Sequence, residues 1–457
     1  MKKNVLAIDI GSTKVCAVIA EIGDDGQIQI SGAGIVRSQG IKRGSITNIE
    51  QASKAIKSAV NDAKRVAGTE IKRAIVSISG SYTKSLNSSG IVNIPNREIT
   101  IKEISRVMHT SLYNANIPNE YEVLHTLPYN FIVDDQELIE DPRGMNASRL
   151  EVETHIITTQ KSNLSNLKKA VRGAGVEVDT VVLSGYASAI AVLNDDEKEL
   201  GAAVIDMGGH TCDTVIHSGN TLRYNDFLGV GSHHITNDLS MALHTPLGVA
   251  ETVKIRHGSL EPPEEGVIEL PMIGDEETTH EVSLGVVHNV IYARVEETLM
   301  ILAQSLEKSG LKDQLGAGIV LTGGYTKLDG IRELASAIFD NLPVRLAKPT
   351  AIEGLFDALK DPSTATAIGL VRYAAGHYAP YEIDVNRQVR YREEYDETES
   401  EYHEQKTSEP VEEPLPQVEA NEPNEEIQLN VRTFPPEDEA KRAGVGKRFW
   451  QWVTHLF

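Results

Sequence analysis

The sequence predicts an α/β protein of two similar domains that face each other. Three observations carry this. A strand–turn–strand unit occurs twice, as VLAIDIGSTKVCAVI (5–19) and AAVIDMGGHTCDTVI (202–216), with Asp9 matching Asp206 and Gly11 matching Gly208. Apolar strand segments alternate with helix-period segments up to about Tyr378. Between about Thr83 and Thr159 the texture changes, marking a compact α/β insert. A chain whose halves begin alike reads as a duplicated unit.

In chain order, VLAIDIG, STKVCAVIAEIG and QIQISGAGIV alternate as three strands of a meander, with a Gly-rich turn at 24–26. A helix is expected from about Asn48, with Thr47 and Glu50 at capping-box spacing, Ile49, Ile56, Ala59 and Ala63 on one face, and Gly68 as its stop. IKRAIVSISG is a further apolar strand. The insert shows a helix over 101–115 and a strand-like EYEVLHTLPYNFIVDD. Helices near 163–173 and 186–193 flank the strand VDTVVLSG. After the second hairpin come a helix around 282–308 and the strand ending in LTGGY (321–325).

The composition sets limits. The 457 residues are 40% hydrophobic and 24% charged, with a formal net charge of −22. Much of that charge is local: 384–440 holds 18 acidic residues against 5 Lys and Arg. The mildly acidic remainder excludes general affinity for nucleic acid. Cys16 and Cys212 form no metal spacing and no disulfide framework, which suits a reducing compartment. No stretch reaches the ~18 apolar residues of a membrane span, and Asp9 and Lys14 interrupt any signal-peptide core.

DIGSTK closes an apolar strand with a tight turn. Gly11 lets the backbone approach a ligand, Ser12 and Thr13 add hydroxyls, and Lys14 adds a cation suited to phosphate. Asp9 fits such a site with a hydrated Mg²⁺ between carboxylate and phosphate. One Asp-x-Gly alone reads as an ordinary polar hairpin. The second copy, with Asp206, Gly208, Gly209, His210 and Thr211, turns the pair into a clamp with two carboxylates near one metal. LTGGY adds bare backbone at Gly323 and Gly324, followed by Tyr325, to cover a nucleoside. In AETVK, Glu251 and Lys254 share a helix face and suit ribose hydroxyls or a base edge, although a surface ion pair is the plainer reading of that pair. His233 and His234 are adjacent, so their side chains point apart, and they read as structural.

Together these motifs resemble the actin-like ATPase superfamily. VLHTLPYNFIVDDQELIEDPRGMNASRLEVETHIITT (123–159), SHHITNDLSMAL and AETVKIRHGSL further resemble the FtsA family of bacterial cell-division proteins. The resemblance spans about 4–378 plus the last dozen residues. It implies an actin-like fold of two ribonuclease-H-like domains with ATP and Mg²⁺ in the cleft. The implied layout is a first domain over 1–83 and 161–203, an insert subdomain over 84–160, and a second domain with the cleft over 204–350. A return to the first domain (351–383), a disordered acidic linker (384–440) and an amphipathic membrane-targeting helix (441–457) follow. It also implies ATP binding with weak or no ATPase activity, self-assembly into an actin-like filament, attachment of FtsZ, and later division partners held by the insert. The place of action would be the cytoplasmic face of the inner membrane at the septum. One position departs from the family: His210 stands where a third glycine is usual, in a turn where positive φ would favour glycine. A metabolite kinase of the same superfamily, or a pilus-assembly actin homologue, is the alternative. No motif supplies the kinase with a catalytic base.

The end of the chain has its own logic. Residues 384–440 are rich in Glu, Pro, Gln and Asn, too polar to offset their ordering entropy. In KRFWQWVTHLF, Val445, Phe449, Trp450, Trp452, Val453, Leu456 and Phe457 fill one helical sector. Lys447, Arg448, Gln451, Thr454 and His455 fill the other. Lys441, Arg442, Lys447 and Arg448 precede or border the apolar face. This is the pattern of a helix lying in an anionic lipid interface, tethered by a long spacer. Docking on the protein's own body or a partner's groove is the other reading.

Overall fold

The computed structural model describes residues 3–219 and 221–391. The residues expected to form the linker beyond 391 and the amphipathic helix, including Lys447, Arg448, Phe449, Trp450, Trp452, Val453, Leu456 and Phe457, lie outside the described residues.

The first domain opens with β1 (Lys3–Ile10), β2 (Lys14–Ile22) and β3 (Ile28–Arg37), then a small hairpin of β4 (Ile41–Lys42) and β5 (Ser45–Ile46), helix α1 (Ile49–Ala67) and β6 (Arg73–Ile78). The insert supplies β7 (Thr83–Asn93), α2 (Ile101–Asn114), β8 (Tyr121–Val133), β9 (Gln136–Ile139) and β10 (Arg149–Gln160). The chain returns through α3 (Lys161–Gly173), β11 (Glu177–Leu183), α4 (Ser184–Val192) and the short α5 (Asp195–Leu200). The second domain holds β12 (Ala202–Met207), β13 (Cys212–Ser218), β14 (Thr221–Leu228), α6 (Ser232–Ala242), α7 (Leu247–His257), β15 (Val267–Met272), β16 (Asp275–Ser283), α8 (Leu284–Lys308), β17 (Gly318–Thr322), α9 (Ile331–Ile338) and β18 (Val344–Leu346). Helix α10 (Ala365–Ala374) then crosses back.

The duplication is exact in topology. One sheet runs β11-β6-β1-β2-β3 and the other β18-β17-β12-β13-β14. In each, three antiparallel strands continue into two parallel ones. The central strands are buried on both faces, which is why they read as unbroken apolar runs.

Local chemistry places α1 as expected at its end but not at its start. Gly68 stops it at φ 65, yet the N-cap is Asn48, whose side chain accepts from Gln51 N, and Ile49 is exposed. The Thr47–Glu50 capping box does not form, because Asn48 is the better placed acceptor. The buried face of α1 is mostly alanine, and Gly32 and Gly34 lie under it. A Cβ at either glycine would collide with an α1 carbonyl, Ala63 or Ala59. Small residues on both sides let helix and strand pack at backbone distance. Gly369 does the same where α10 crosses α4, meeting the Ala187 carbonyl.

The insert is a four-stranded sheet, β7-β10-β8-β9, with α2 on one face. Its base is not separate: Leu124, Leu127 and Ile157 belong to the first domain's core. It also reaches the second domain, where Thr221 Oγ1 donates to the Pro128 carbonyl (2.7 Å) and His155 lies between Asn87 and Asn225.

Composition placed the end of the folded body near Tyr378 and the linker from Asp384. The structure differs. Tyr381 and Ile383 complete the insert's core. Ile383 pairs with Thr126. Glu382 is fully buried, accepting hydrogen bonds from Tyr186 Oη (2.9 Å) and Tyr373 Oη. Asp384 is buried beside Arg390 (2.8 Å). Pairing supplies here what side-chain hydrophobicity does not.

Candidate nucleotide-binding cleft

Both hairpin turns close the same way. Gly11 N donates to the Lys14 carbonyl (3.1 Å), and Gly208 N donates to the Thr211 carbonyl (2.8 Å). In the second turn, the Gly208 and Gly209 carbonyls accept from Ser232 N and His233 N at the start of α6. A trans peptide sends its N–H opposite to its carbonyl, so the N–H groups of Gly209 and His210 turn away from α6. The two turns touch. A Cβ on Gly209 would overlap Thr13 Oγ1, one on Gly231 would crowd the backbone of 208–210, and one on Gly323 (φ 91) would overlap Asp206 and Met207.

Between the turns lies a cavity of about 280 Å³, lined by Asp9, Gly11, Ser12, Thr13, Lys14, Asp206, Gly208, Gly209, His210, Thr211, Gly323 and Gly324 among others. These twelve expected site residues therefore converge, although they come from three distant stretches. Lys14 Nζ spans the cleft to Ser363 Oγ (2.6 Å). Ser12 Oγ accepts from Gly44 N (2.9 Å), tying the β4–β5 hairpin to the first turn.

Three expected site residues lie outside that lining. Tyr325 is buried in the second domain's core and points away from the cleft. Glu251 and Lys254 are outside the lining. They pair with each other (2.8 Å), and Lys254 Nζ donates to Thr236 Oγ1 (2.9 Å) and the Ser232 carbonyl (3.3 Å). Their job in this structure is to hold α7 on α6. His210 needs no positive φ, since no residue of 208–211 has one, so the replaced glycine carries no backbone strain.

The cleft floor is acidic. Asp9 accepts from Ser77 Oγ (2.9 Å). Asp206 accepts from Ser188 Oγ (2.5 Å) on α4 and Thr366 Oγ1 (3.1 Å) on α10. Asp213 accepts from Ser79 Oγ at both oxygens (2.8 and 2.9 Å). Burial pushes the Asp9 carboxyl up to about 6, against the opposing pull of Ser77 and Lys14. Burial, with the neighbouring Asp206 charge, pushes Asp213 up to about 7. Asp206 is raised by burial too. Buried carboxylates of like charge around a cleft suit a cation above them. Among the described residues no three acidic, histidine or cysteine groups converge to ligate one ion directly, so the fit is to a hydrated cation.

Sequence reading missed Asp213. It pairs with Asp206 across the second hairpin, but its counterpart across the first is Cys16, opposite Asp9, so the repeat hid it. Ser77 and Ser79 stood visible in IVSIS as polar residues at a strand end. Ser188, Thr366 and Ser363 carried no sequence signal, since they reach the site on buried helices and a loop.

Two duplicated domains closing on such a cleft define an actin-like ATPase fold. A chain of a PilM–PilN type IV pilus biogenesis complex shares it, with a TM-score of 0.59 and 17% identity over 81% of this chain and 98% of that one. At that identity the likeness concerns the fold alone. Sequence decides the family. Residues 80–158 match the SHS2 domain inserted in FtsA, and 203–369 match the cell division protein FtsA. The Helicobacter pylori (strain ATCC 700392 / 26695) cell division protein FtsA is 41% identical over 430 residues, covering 87% of both chains. That of Escherichia coli K12 is 32% identical over 398 residues, covering 85% of this chain and 94% of the other. The chain belongs to the FtsA family and is an actin-like cell division protein.

Proposed function

We propose that the protein binds ATP with Mg²⁺ in this cleft, assembles into an actin-like filament, and tethers FtsZ to the inner membrane through its C-terminal segment. The observation that carries the reading is the convergence of both glycine turns, Lys14 and the three aspartates on one cavity. Turn N–H groups, hydroxyls and Lys14 would hold the phosphates, and Asp9, Asp206 and Asp213 would orient the water shell of Mg²⁺. The bound metal would neutralise phosphate charge. Lys14 would position the phosphate tail, and the closed turns would exclude water. Weak or absent turnover suits a filament protein better than a metabolic kinase.

The membrane part rests on the wheel of 445–457. Burying Phe449, Trp450, Trp452, Val453, Leu456 and Phe457 contributes several kcal/mol, at ~1.5–3 for each fully buried large side chain, discounted for shallow insertion. Later division partners would meet the insert. Co-pelleting of the full chain with anionic liposomes, with and without FtsZ, tests the whole reading. Trp452→Glu should leave protein and FtsZ in the supernatant while ATP still binds. Equal pelleting of variant and parent would reassign the segment to docking on a partner.

A further inference from the structure

His210 is the one cleft residue that brings an imidazole to the second turn. Its ring stacks on His233 of α6, with centroids 4.5 Å apart and planes at 29°. Every charged group bearing on it is cationic or can become so: Lys42 and Arg43 of the β4–β5 hairpin, and His233 and His234 of α6. Behind them, Glu251 and Lys254 on α7 act on His233 with opposite signs. The β4–β5 hairpin is held over the first turn by the Gly44–Ser12 hydrogen bond, and Gly44 and His210 both line the cavity that Lys14 also lines.

We propose that His210 is a protonation-coupled phosphate ligand: it is neutral in the free protein and takes up a proton when a nucleoside polyphosphate enters. The proposal rests on the reading that the cleft binds nucleotide, and adds its regulation. In the free protein, burial and then the surrounding cations hold the ring down to about 4. A polyphosphate in the cavity brings several negative charges to the wall that His210 helps to form. An opposite charge within ~4–6 Å moves a titrating group by about 1–3 pH units toward its charged form. The neutral ring has one N–H and one lone pair, whereas the protonated ring has two donors to offer phosphate oxygens. The sign follows. The bound form holds the extra proton below its raised midpoint, so affinity rises as pH falls through that midpoint and levels off near the free value. No glycine at this position can do this.

The test uses the full chain with histidine-labelled imidazoles observed by NMR, the His210 signal being assigned by its loss in His210→Gln. The probes are Mg²⁺–ATP and adenosine, which lacks phosphate. Mg²⁺–ATP should raise the His210 midpoint by at least ~1 pH unit, and adenosine should leave it in place. Calorimetry at about pH 6, in two buffers of different ionisation enthalpy, should show the parent taking up more protons per ATP than His210→Gln, with a difference of up to about one. An unmoved His210 midpoint in protein that calorimetry shows to be saturated with ATP overturns the proposal alone. Absence of ATP binding by the parent from about pH 6 to 8 overturns the nucleotide reading, and this proposal with it.

Discussion

Thr13 and Gly209, almost two hundred residues apart in the chain, occupy one contact. The Thr13 hydroxyl fills the place where a residue other than glycine would put its Cβ. Each glycine turn thereby limits how far the other can close, and the gap between them is the cleft.

Gly209→Ala should force the turns apart and lower ATP affinity at least ~10-fold, with the melting temperature less affected. Thr13→Ala in the same chain removes the atom that the new Cβ meets, so the double variant should bind more tightly than Gly209→Ala. That coupling is read from a four-variant cycle by calorimetry. Strictly additive losses would mean that the contact does not set the aperture.

Gly323 and Gly324 should separate stability from binding. At φ 91, and against Asp206 and Met207, Gly323 tolerates no Cβ, and Gly323→Ala should destabilise the protein by about 2 kcal/mol or more. A Cβ on Gly324 meets only Ser363 Cβ at 3.3 Å. Gly324→Leu should therefore fold, fill the cleft and abolish ATP binding. Thermal melts beside calorimetry distinguish the two, and a Gly324→Leu chain that binds ATP normally would misplace the nucleoside.

The acidic floor sets a pH dependence of the nucleotide-free protein. Asp213 titrates near 3.8 when unfolded and about 7 when folded, and Asp9 near 3.8 and about 6. The folded state therefore holds more protons between these values. The stability these groups contribute is fully present below about 3.8 and is lost as pH rises toward 7. Asp213→Asn should shrink the fall in melting temperature between pH 5 and pH 8 in metal-free buffer, and weaken binding of Mg²⁺–ATP. An unchanged fall would show that Asp213 is charged throughout.

The stretch 379–391 belongs to the folded body. A chain ending at 378 loses Tyr381, Ile383 and Val385 from the core and leaves Tyr186 and Tyr373 without their buried acceptor Glu382. It should melt roughly 10 °C or more below a chain ending at 391, given ~1.5–3 kcal/mol per large buried side chain and ~1–3 per orphaned hydroxyl. Equal melting of the two chains would return the boundary to Tyr378.

Local pattern by itself determined the repeated hairpin, the opening meander with its following helix and strand, the change of texture at the insert, and twelve residues of the cleft, because glycine turns and apolar periodicity are written in neighbouring residues. The resemblance of the quoted motifs carried the family. Tertiary structure alone decided the rest. Asp213 enters the site through its register opposite Asp206. Ser188 and Thr366 enter through the close crossing of α4 and α10 that Gly369 permits. Tyr325 stands outside the cavity lining because its ring is packed in the second domain's core. Glu251 and Lys254 turn to each other and to α6 because partners lie within reach there. The polar run 379–391 folds because Thr126 and Tyr186, distant in sequence, and the nearer Tyr373 meet its backbone and its buried carboxylate Glu382. Each of these outcomes depends on which surfaces long-range packing brings together, and a one-dimensional pattern does not carry that information.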